Sequence, residues 1–339
     1  MKKQEKIFVI GHKNPDTDSI CSAIAYCDIK NRTTQDSKYI AKRAGQINEE
    51  TEYVLNRFGV QPPGYLSNIG TQVKDMDIRL SPEANKSMSL KNAWDLMQEN
   101  SIVSLPIREK DGTLEGLITI GDIAKTYMDT TDSYLLSRAR TQYQRIAETI
   151  GGKVVEGNGH GYFIQGKIMV ATANPDKMKE YVEENDMIIM GNREEDHLQA
   201  IEQNVSCIIV GLGIEVTEKV LKLAHEKDII IISSPYDTFT ISRLINQSIP
   251  VKYIMKTENL VTFKTEDFTD DIQDVMIKHR HRAFPVIDKK GKCIGTISRR
   301  NFLDMHRKKV VLVDHNEKDQ AVDNIDKAEI MEIIDHHKL

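Results

Sequence analysis

Three short aliphatic runs in this chain each end at a cluster of Asp and His residues. The clusters occupy residues 12–18, 314–316 and 335–337. Such runs, followed by turn or helix signals, are typical of buried strands in a parallel sheet. Ligands of open α/β sheets bind beyond the carboxyl ends of the strands, so we expect the clusters to meet at one edge. About 300 residues separate the first cluster from the others, which predicts a large insertion into the domain that holds them.

Composition limits the classes of protein to consider. The 339 residues leave room for two or three domains, and the net charge of −5 argues against general nucleic-acid binding. No apolar run approaches the length of about 18 residues that a membrane span needs. The N-terminal residues lack the apolar stretch of a signal peptide. We therefore expect a cytoplasmic protein without nucleic-acid or membrane partners, and reduced thiols at the four scattered cysteines.

The chain contains an internal repeat with a constant offset of 179 residues, which predicts duplicated units at about 70–128 and 250–308. Each unit has a Met-ended lead-in, an amphipathic helix, an X-Pro-X strand, a Gly-containing turn, a further strand and a second helix. The aligned pairs are Met76 with Met255, Met97 with Met276, Pro106 with Pro285, Gly116 with Gly295, Thr119 with Ser298, and Asp122 with Asn301.

The repeated units resemble CBS domains, whose pairs commonly bind adenine nucleotides. Residues 116–122 resemble the ribose-phosphate motif of that family, and 295–301 are the equivalent segment. The resemblance also implies a homodimer, because CBS pairs usually associate into a flat disc. Apolar helix faces at positions such as Ala93 and Ile272 fit such a dimer, but a monomer core explains them equally well.

Four residues of these motifs are candidate nucleotide ligands. The hydroxyls of Thr119 and Ser298 at a strand end can donate to phosphate, and Asp122 and Asn301 can bind ribose hydroxyls. The alternative is that the hydroxyl residues cap the following helices and the other two are ordinary first-turn residues.

The second unit also carries a basic segment, 279–282. Arg280 and Arg282 can hold nucleotide phosphates through paired hydrogen bonds. They can equally be a solvated basic helix end that is favourable to the helix dipole. The first unit has uncharged residues at 100–103 instead, so the two units differ in charge.

The residues between the repeats have their own alternation of strands and helices. Aliphatic runs at 187–190, 207–210 and 229–232 predict strands, and helical patterns follow at 194–203 and 218–226. This small α/β region resembles the DRTGG domain in its position between CBS units. The tetrapeptide that gives the domain its name is absent.

The three clusters at the strand ends predict a divalent-metal site. Carboxylate and imidazole ligands without thiolate suit Mn²⁺, Mg²⁺ or Co²⁺. His12, Asp16 and Asp18 in one turn can address two cations, and Asp314 and His336 supply partners from other strands. The alternatives are a helix N-cap for Asp18 and a strand-end turn for Asp314.

The segments 11–22, 313–316 and 335–338 resemble motifs of the DHH superfamily, specifically of the family II inorganic pyrophosphatases. The CBS–DRTGG–CBS insertion resembles the nucleotide-regulated branch of that family. The resemblance implies that a water activated by two Mn²⁺ or Co²⁺ ions hydrolyses pyrophosphate, with Mg²⁺ accompanying the substrate. The implied roles are His12 and Asp16 on one cation, Asp18 and His336 on the other, Asp314 bridging both, and His337 on the substrate phosphate.

We therefore expect an α/β fold in which a partial parallel-sheet DHH domain is split by an inserted CBS pair and a small α/β DRTGG-like domain. The predicted boundaries are 1–69 for the N-terminal part of the DHH domain, 70–128 for the first CBS unit, 129–249 for the DRTGG-like domain, 250–308 for the second CBS unit, and 309–339 for the incomplete continuation of the DHH domain.

In the family, the sequence continues beyond the third cluster with another metal-binding Asp. A C-terminal domain follows, and its Lys and Arg residues bind pyrophosphate. We therefore expect Asp314, His336 and His337 to be poorly supported, and this chain alone to hydrolyse pyrophosphate weakly or not at all. AMP or ADP would inhibit, and ATP or diadenosine polyphosphates would activate, as the resemblance implies. Two alternatives stay open: a nucleotide-sensing module with a silent catalytic remnant, and another DHH phosphoesterase acting on short nucleotides.

Overall fold

The computed structural model describes residues 4–128, 132–172, 175–303 and 305–337. The predicted boundary at residue 129 lies outside these residues. The helices are α1 (Thr17–Thr33), α2 (Glu49–Phe58), α3 (Leu90–Glu99), α4 (Ile120–Met128), α5 (Leu135–Arg138), α6 (Tyr143–Thr149), α7 (Pro175–Tyr181), α8 (Glu194–Glu202), α9 (Glu218–Glu226), α10 (Thr238–Leu244) and α11 (Thr269–Lys278). The strands are β1 (Glu5–Ile10), β2 (Ser37–Arg43), β3 (Gly64–Tyr65), β4 (Arg79–Leu80), β5 (Ser104–Arg108), β6 (Leu114–Thr119), β7 (Thr141–Gln142), β8 (Lys153–Glu156), β9 (Tyr162–Phe163), β10 (Ile168–Val170), β11 (Met187–Met190), β12 (Cys207–Val210), β13 (Ile230–Ser233), β14 (Phe263–Lys264), β15 (Phe284–Ile287), β16 (Cys293–Ile297), β17 (Lys309–Val313) and β18 (Glu329–Ile334).

The chain forms two compact units. One comprises 1–79, 263–289 and 296–339, and the other comprises 80–262 and 290–295. Within the described ranges, no helix has both the length and the apolar character that crossing a bilayer requires.

The first unit is built on a five-stranded sheet with the strand order β18-β17-β1-β2-β3. Neighbouring strands are parallel throughout, and β1 lies beside β17 with Ile10 opposite Leu312. Both central strands are buried on both faces: Val9 and Val311 pack towards α1, whereas Ile10 and Leu312 pack towards the opposite layer. Continuous aliphatic runs produce this arrangement because successive side chains point to opposite faces.

The last strand, β18, differs from the prediction of a buried strand. It forms the edge of the sheet, and all six of its residues are exposed. Its side chains at Ile330 and Ile334 are 41% and 43% exposed. The expectation of a poorly supported Asp314 is wrong, because Asp314 follows the central strand β17 and is only 6% exposed. His336 and His337, beyond the edge strand, are exposed.

The helix after the first cluster begins earlier than predicted. An N-cap at Asp18, the alternative interpretation, places the first helical residue at Ser19, but α1 begins at Thr17 and its N-cap is Asp16. Oδ1 of Asp16 accepts a hydrogen bond from the Ser19 backbone N–H at 2.9 Å. Asp18 therefore lies in the first turn, where its side chain is free of the capping role.

The second unit contains a sheet with the order β10-β11-β12-β13-β8, in which only β8 is antiparallel to its neighbour. The predicted strands and helices between the repeats are all present, with bounds within one residue of the prediction. Ile208 and Ile231 face the layer of α8 and α9, and Ile209 and Ile232 face the other layer. The two apolar faces explain the uninterrupted Ile-rich runs.

The two repeats differ in the element that follows their last strand. After β6 the first repeat continues into the helix α4, as predicted. After β16 the second repeat has a 3-10 turn at Arg299–Phe302 among the described residues, where a second helix was expected. The expected α/β class with parallel sheets is confirmed.

Candidate metal centre and nucleotide-binding residues

The turn after β1 positions two candidate ligands at the start of α1. A Cβ on Gly11 would lie 1.8 Å from Oγ of Ser19, so only glycine allows this close approach of strand end and helix. The Ser19 hydroxyl accepts a hydrogen bond from the His12 backbone N–H at 3.2 Å. As a result His12 and Asp16 lie on the same side of the turn, with Nε2 and Oδ1 3.8 Å apart.

Asp314 occupies the end of β17 in a left-handed backbone conformation, with φ at 61°. Asp is one of the few residues other than glycine that adopt this conformation readily. Its backbone N–H donates to the carbonyl of Ile334 at 2.8 Å, so β18 helps to hold the turn. The side chain is 4% exposed, which makes this the most buried carboxylate of the cluster.

The two oxygens of Asp314 face two different imidazoles. Oδ2 is 3.3 Å from Nε2 of His12, and Oδ1 is 3.2 Å from Nε2 of His336. His336 is also 3.5 Å from Oδ2 of Asp18. The five predicted metal ligands therefore lie together beyond the carboxyl ends of the strands: His12, Asp16, Asp18, Asp314 and His336.

The described residues include two groups of side chains whose ligand atoms all lie within 4.8 Å of one another, and Asp18 belongs to neither. One group is His12, Asp16 and Asp314, and the other is Asp314, His336 and His337. Asp314 belongs to both, as a bridging ligand would. The second group includes His337, to which the sequence assigned substrate contact. Imidazole and carboxylate donors in two adjoining groups fit a pair of Mn²⁺ or Co²⁺ ions.

Asp335 is a residue of this site that the sequence reasoning did not assign. Its Oδ1 lies 2.7 Å from Nδ1 of His337. This contact raises the pKa of His337, and the carboxylate orients the ring. Burial alone would raise the pKa of Asp335, but its hydrogen bonds with His337 outweigh burial and the pKa is lowered. Its position directly before His336 and His337 was the available signal.

The candidate nucleotide residues of the first repeat lie in the second unit. The hydroxyl of Thr119 donates to Oδ2 of Asp122 at 2.6 Å, and the backbone N–H of Thr119 donates to the same oxygen. The other oxygen of Asp122 is 3.5 Å from Nζ of Lys256. The pair thus has the capping geometry of the alternative interpretation, and Lys256 adds a cation that the sequence reasoning missed.

The equivalent pair of the second repeat lies in the first unit and has the same geometry. The hydroxyl of Ser298 donates to Oδ1 of Asn301 at 2.9 Å, and its backbone N–H donates to that oxygen as well. The Asn301 amide nitrogen donates to the carbonyl of Asp77 at 2.6 Å. The second repeat therefore has the amide of Asn301 where the first has the carboxylate of Asp122. This amide contacts a backbone carbonyl, whereas the carboxylate contacts the ammonium of Lys256.

The basic segment forms an exposed connection between α11 and β15. Arg280 and Arg282 are both exposed. The guanidinium of Arg299 donates to the carbonyls of Met276, His279 and His281. Through these hydrogen bonds Arg299 connects the 3-10 turn to the end of α11 and to the basic segment.

Comparison with known proteins divides the insertion into recognised domains. The family model described as the CBS domain matches residues 77–129 and 251–308. The model described as the DRTGG domain matches residues 145–248.

A solved structure is similar to most of the chain. It contains the CBS and DRTGG domains of the regulatory region of a Clostridium perfringens pyrophosphatase, complexed with the activator diadenosine tetraphosphate. It is 33% identical, has a TM-score of 0.64, and covers 68% of this chain and 100% of its own. The chain belongs to the family II inorganic pyrophosphatases that carry CBS and DRTGG domains.

Two relatives named inorganic pyrophosphatases align with almost the whole chain. A cobalt-dependent inorganic pyrophosphatase of Clostridium perfringens is 38% identical over 337 residues, which are 99% of this chain and 61% of that protein. A probable manganese-dependent inorganic pyrophosphatase of Thermotoga maritima is 32% identical over 339 residues, with 62% of its length covered. The chain thus spans about three fifths of the length of these relatives.

Proposed function

We propose that this chain carries the metal-binding part of a site that hydrolyses inorganic pyrophosphate to phosphate. The observation that carries the proposal is the position of Asp314, whose two oxygens lie 3.3 and 3.2 Å from imidazoles of different strand ends. The relatives named cobalt- and manganese-dependent pyrophosphatases support the choice of Mn²⁺ or Co²⁺. When bound, two such ions would activate a water and neutralise the charge that develops on the phosphates, with Mg²⁺ accompanying the substrate.

The residues of this chain would have distinct roles. His12 and Asp16 would bind one cation, Asp18 and His336 the other, and Asp314 both. The raised pKa of His337 favours its protonated form, which can donate a hydrogen bond to a phosphate oxygen. Asp335 would keep the His337 ring in place.

Phosphate release from pyrophosphate in the presence of Mn²⁺ or Co²⁺ tests the proposal. We expect weak turnover by this chain alone, as the family resemblance implies. The matched control is Asp314→Asn, which should abolish the remaining turnover. Turnover that is unaffected by Asp314→Asn would contradict the metal assignment, and strong turnover would contradict the expectation of weakness.

We further propose that adenine nucleotides regulate the site through the CBS pair. The Clostridium perfringens regulatory region, 33% identical, was solved with diadenosine tetraphosphate as activator, which supports this class of effector. Thr119, Asp122, Arg280, Arg282, Ser298 and Asn301 are the candidate contacts. Calorimetric titration with AMP, ADP, ATP and diadenosine tetraphosphate tests binding, and absence of heat with all four would contradict it.

We also propose that the chain forms a homodimer through the CBS pairs and is located in the cytoplasm. The exposed side chain of Trp94 on α3 is consistent with an interface on that helix face. Sedimentation equilibrium with and without AMP measures the state of association.

A nucleotide-sensing module with a silent catalytic remnant is the competing function; it predicts nucleotide binding without any metal-dependent turnover.

A further inference from the structure

Two buried acceptor atoms beside the candidate metal ligands have no hydrogen-bond partner among the residues that the structure describes. They are Nε2 of His315 and Oδ2 of Asp335. His315 is 1% exposed, and the side chain of Asp335 is 5% exposed. Both residues line a cavity of about 420 Å³ together with His12, Asp314 and His337. Buried polar atoms nearly always have a partner in native proteins, so each of these atoms needs a hydrogen-bond partner beyond the described residues.

The protonation states follow from the contacts of the opposite atoms. Nδ1 of His315 lies 2.9 Å from the carbonyl of Val313, and a carbonyl only accepts, so Nδ1 carries the proton. In the neutral ring, Nε2 then presents a lone pair. Oδ2 of Asp335 is a carboxylate oxygen, which accepts hydrogen bonds. Two acceptors cannot satisfy each other.

Both residues line the cavity, so donors inside the cavity can supply the missing hydrogen bonds. His315 belongs to neither of the two described groups whose ligand atoms lie within 4.8 Å of one another, so it is not placed as a direct metal ligand. Its ring stands edge-on to that of His12 with 6.4 Å between the centroids, which puts it next to the first group. A water molecule supplies two donors and retains a lone pair, and it bridges polar groups that are too far apart for direct contact.

We propose that His315 and Asp335 accept hydrogen bonds from the hydration shell of a divalent cation bound at Asp314, which makes His315 a positioning residue of the metal site. This inference rests on the proposed function, because it requires a bound cation. An imidazole whose other nitrogen is fixed by a backbone carbonyl is oriented in advance and needs no rearrangement when the cation enters. Outer partners of this kind typically change metal affinity about 10–100-fold.

Two substitutions of His315 separate the acceptor from the rest of the ring. His315→Asn can keep the donor to the Val313 carbonyl but lacks an acceptor at the position of Nε2. His315→Gln places an amide oxygen near that position. The control is the same pair of exchanges at His197, which is 3% exposed and whose Nε2 contacts the Gly191 carbonyl at 2.8 Å.

The measurement is Co²⁺ affinity of the full chain by calorimetric titration against a competing chelator, with the visible Co²⁺ spectrum and the metal-free melting temperature recorded for each variant. We expect His315→Asn to bind Co²⁺ about tenfold or more weakly, His315→Gln to recover most of the affinity, and both His197 variants to match the wild type. Wild-type affinity in His315→Asn would overturn the inference. Absence of Co²⁺ binding by the wild-type chain would instead overturn the proposed function, and the inference with it.

A second measurement covers the case in which His315→Asn unfolds. In the wild-type chain with ¹⁵N-labelled histidine, Nε2 of His315 should have the shift of an unprotonated nitrogen and should move when Mg²⁺ is added, because its lone pair gains a hydrogen bond. A protonated Nε2 before addition, or a shift that Mg²⁺ leaves unchanged, would overturn the inference.

Discussion

Oδ1 of Asp314 lies 3.2 Å from Nε2 of His336, although the two residues belong to different strand ends. The register of β17 and β18 pairs Val313 with Ile334, so the residues that follow the strands emerge side by side. The Asp314 backbone N–H then donates to the Ile334 carbonyl at 2.8 Å. Backbone pairing, more than any contact between the side chains, therefore brings this carboxylate and imidazole together.

Replacing Asp314 by Asn should weaken cation binding strongly while the fold is retained. Asn tolerates the left-handed conformation at φ 61°, but it lacks the charge that both ligand groups share. We expect a loss of Co²⁺ affinity of about 100-fold or more, as for removal of a buried charged partner. Asp28→Asn on the outer face of α1, where the carboxylate pairs with Arg32, is the control. Equal affinities of the two variants would contradict the bridging role.

Gly11→Ala should disturb the same site through the backbone. The new Cβ would lie 1.8 Å from Oγ and 3.2 Å from the carbonyl oxygen of Ser19, so the strand end or the first turn of α1 has to move. We expect a loss of about 2 kcal/mol in the free energy of unfolding and weaker Co²⁺ binding. Adding Ser19→Ala should recover part of both. Gly191→Ala, where the added Cβ meets no atom within 4 Å, should change neither quantity.

The basic segment provides a test of nucleotide binding. If Arg280 and Arg282 contact phosphates, each Arg→Ala exchange should reduce AMP affinity by about tenfold, because charge-assisted hydrogen bonds contribute about 1.5–3 kcal/mol. Arg57→Ala on α2, an exposed cation outside both repeats, is the control. Calorimetric titration at two salt concentrations measures the effect. An unchanged affinity in both segment variants would favour a solvated helix end.

Asp186 should be the most costly carboxylate to remove from the second unit. It is fully buried, accepts hydrogen bonds from the backbone N–H groups of Lys167 and Glu183 at 2.9 Å each, and pairs with the Lys167 ammonium at 3.1 Å. We expect Asp186→Ala to lower the free energy of unfolding by about 3 kcal/mol. Glu183→Ala removes the other, mostly exposed partner of Lys167 and should cost less than about 1 kcal/mol. Urea unfolding of both variants distinguishes the two; equal losses would contradict the argument.

The pair of His225 and Glu156 should make stability weakly dependent on pH. Nδ1 of His225 lies 3.0 Å from Oε1 of Glu156, and this hydrogen bond raises the pKa of His225 above its ordinary value of 6.5. Because the folded pKa is the higher one, the stabilisation is fully present below pH 6.5 and is lost as the pH rises through the folded pKa. The difference in melting temperature between wild type and His225→Gln should therefore be larger at pH 5.5 than at pH 8.5. A difference that grows towards pH 8.5 would have the wrong sign.

Several features of the fold were predictable because the signal is local or periodic. The aliphatic runs of β1, β17 and the strands between the repeats are buried on both faces, as continuous runs indicate. The repeat offset located both CBS units that the family model matches. The DRTGG-like domain was predicted from its position between the repeats, and the family model matches it at residues 145–248.

Other features depended on contacts between distant residues. The exposure of β18 was missed because an aliphatic run looks the same at an edge as in the middle of a sheet. Asp16, not Asp18, caps α1, because Oδ1 of Asp16 accepts the hydrogen bond from the Ser19 backbone N–H. Arg299 appeared as an ordinary motif residue, although in the fold it donates to one carbonyl of α11 and to two carbonyls of the basic segment.

By itself the sequence determined which chemical groups stand at the strand ends and that a duplicated insertion separates them, because residue type and periodicity are properties of the chain. Only the tertiary structure decided how the groups are shared. The left-handed turn at Asp314 and the parallel register of β1, β17 and β18 direct one buried carboxylate towards His12 and His336 at once. Among the described residues, they also leave Nε2 of His315 and Oδ2 of Asp335 without a hydrogen-bond partner. Such arrangements arise from the pairing of β17 with β18 and with β1, which lies about 300 positions away in the chain, and no local pattern records this pairing.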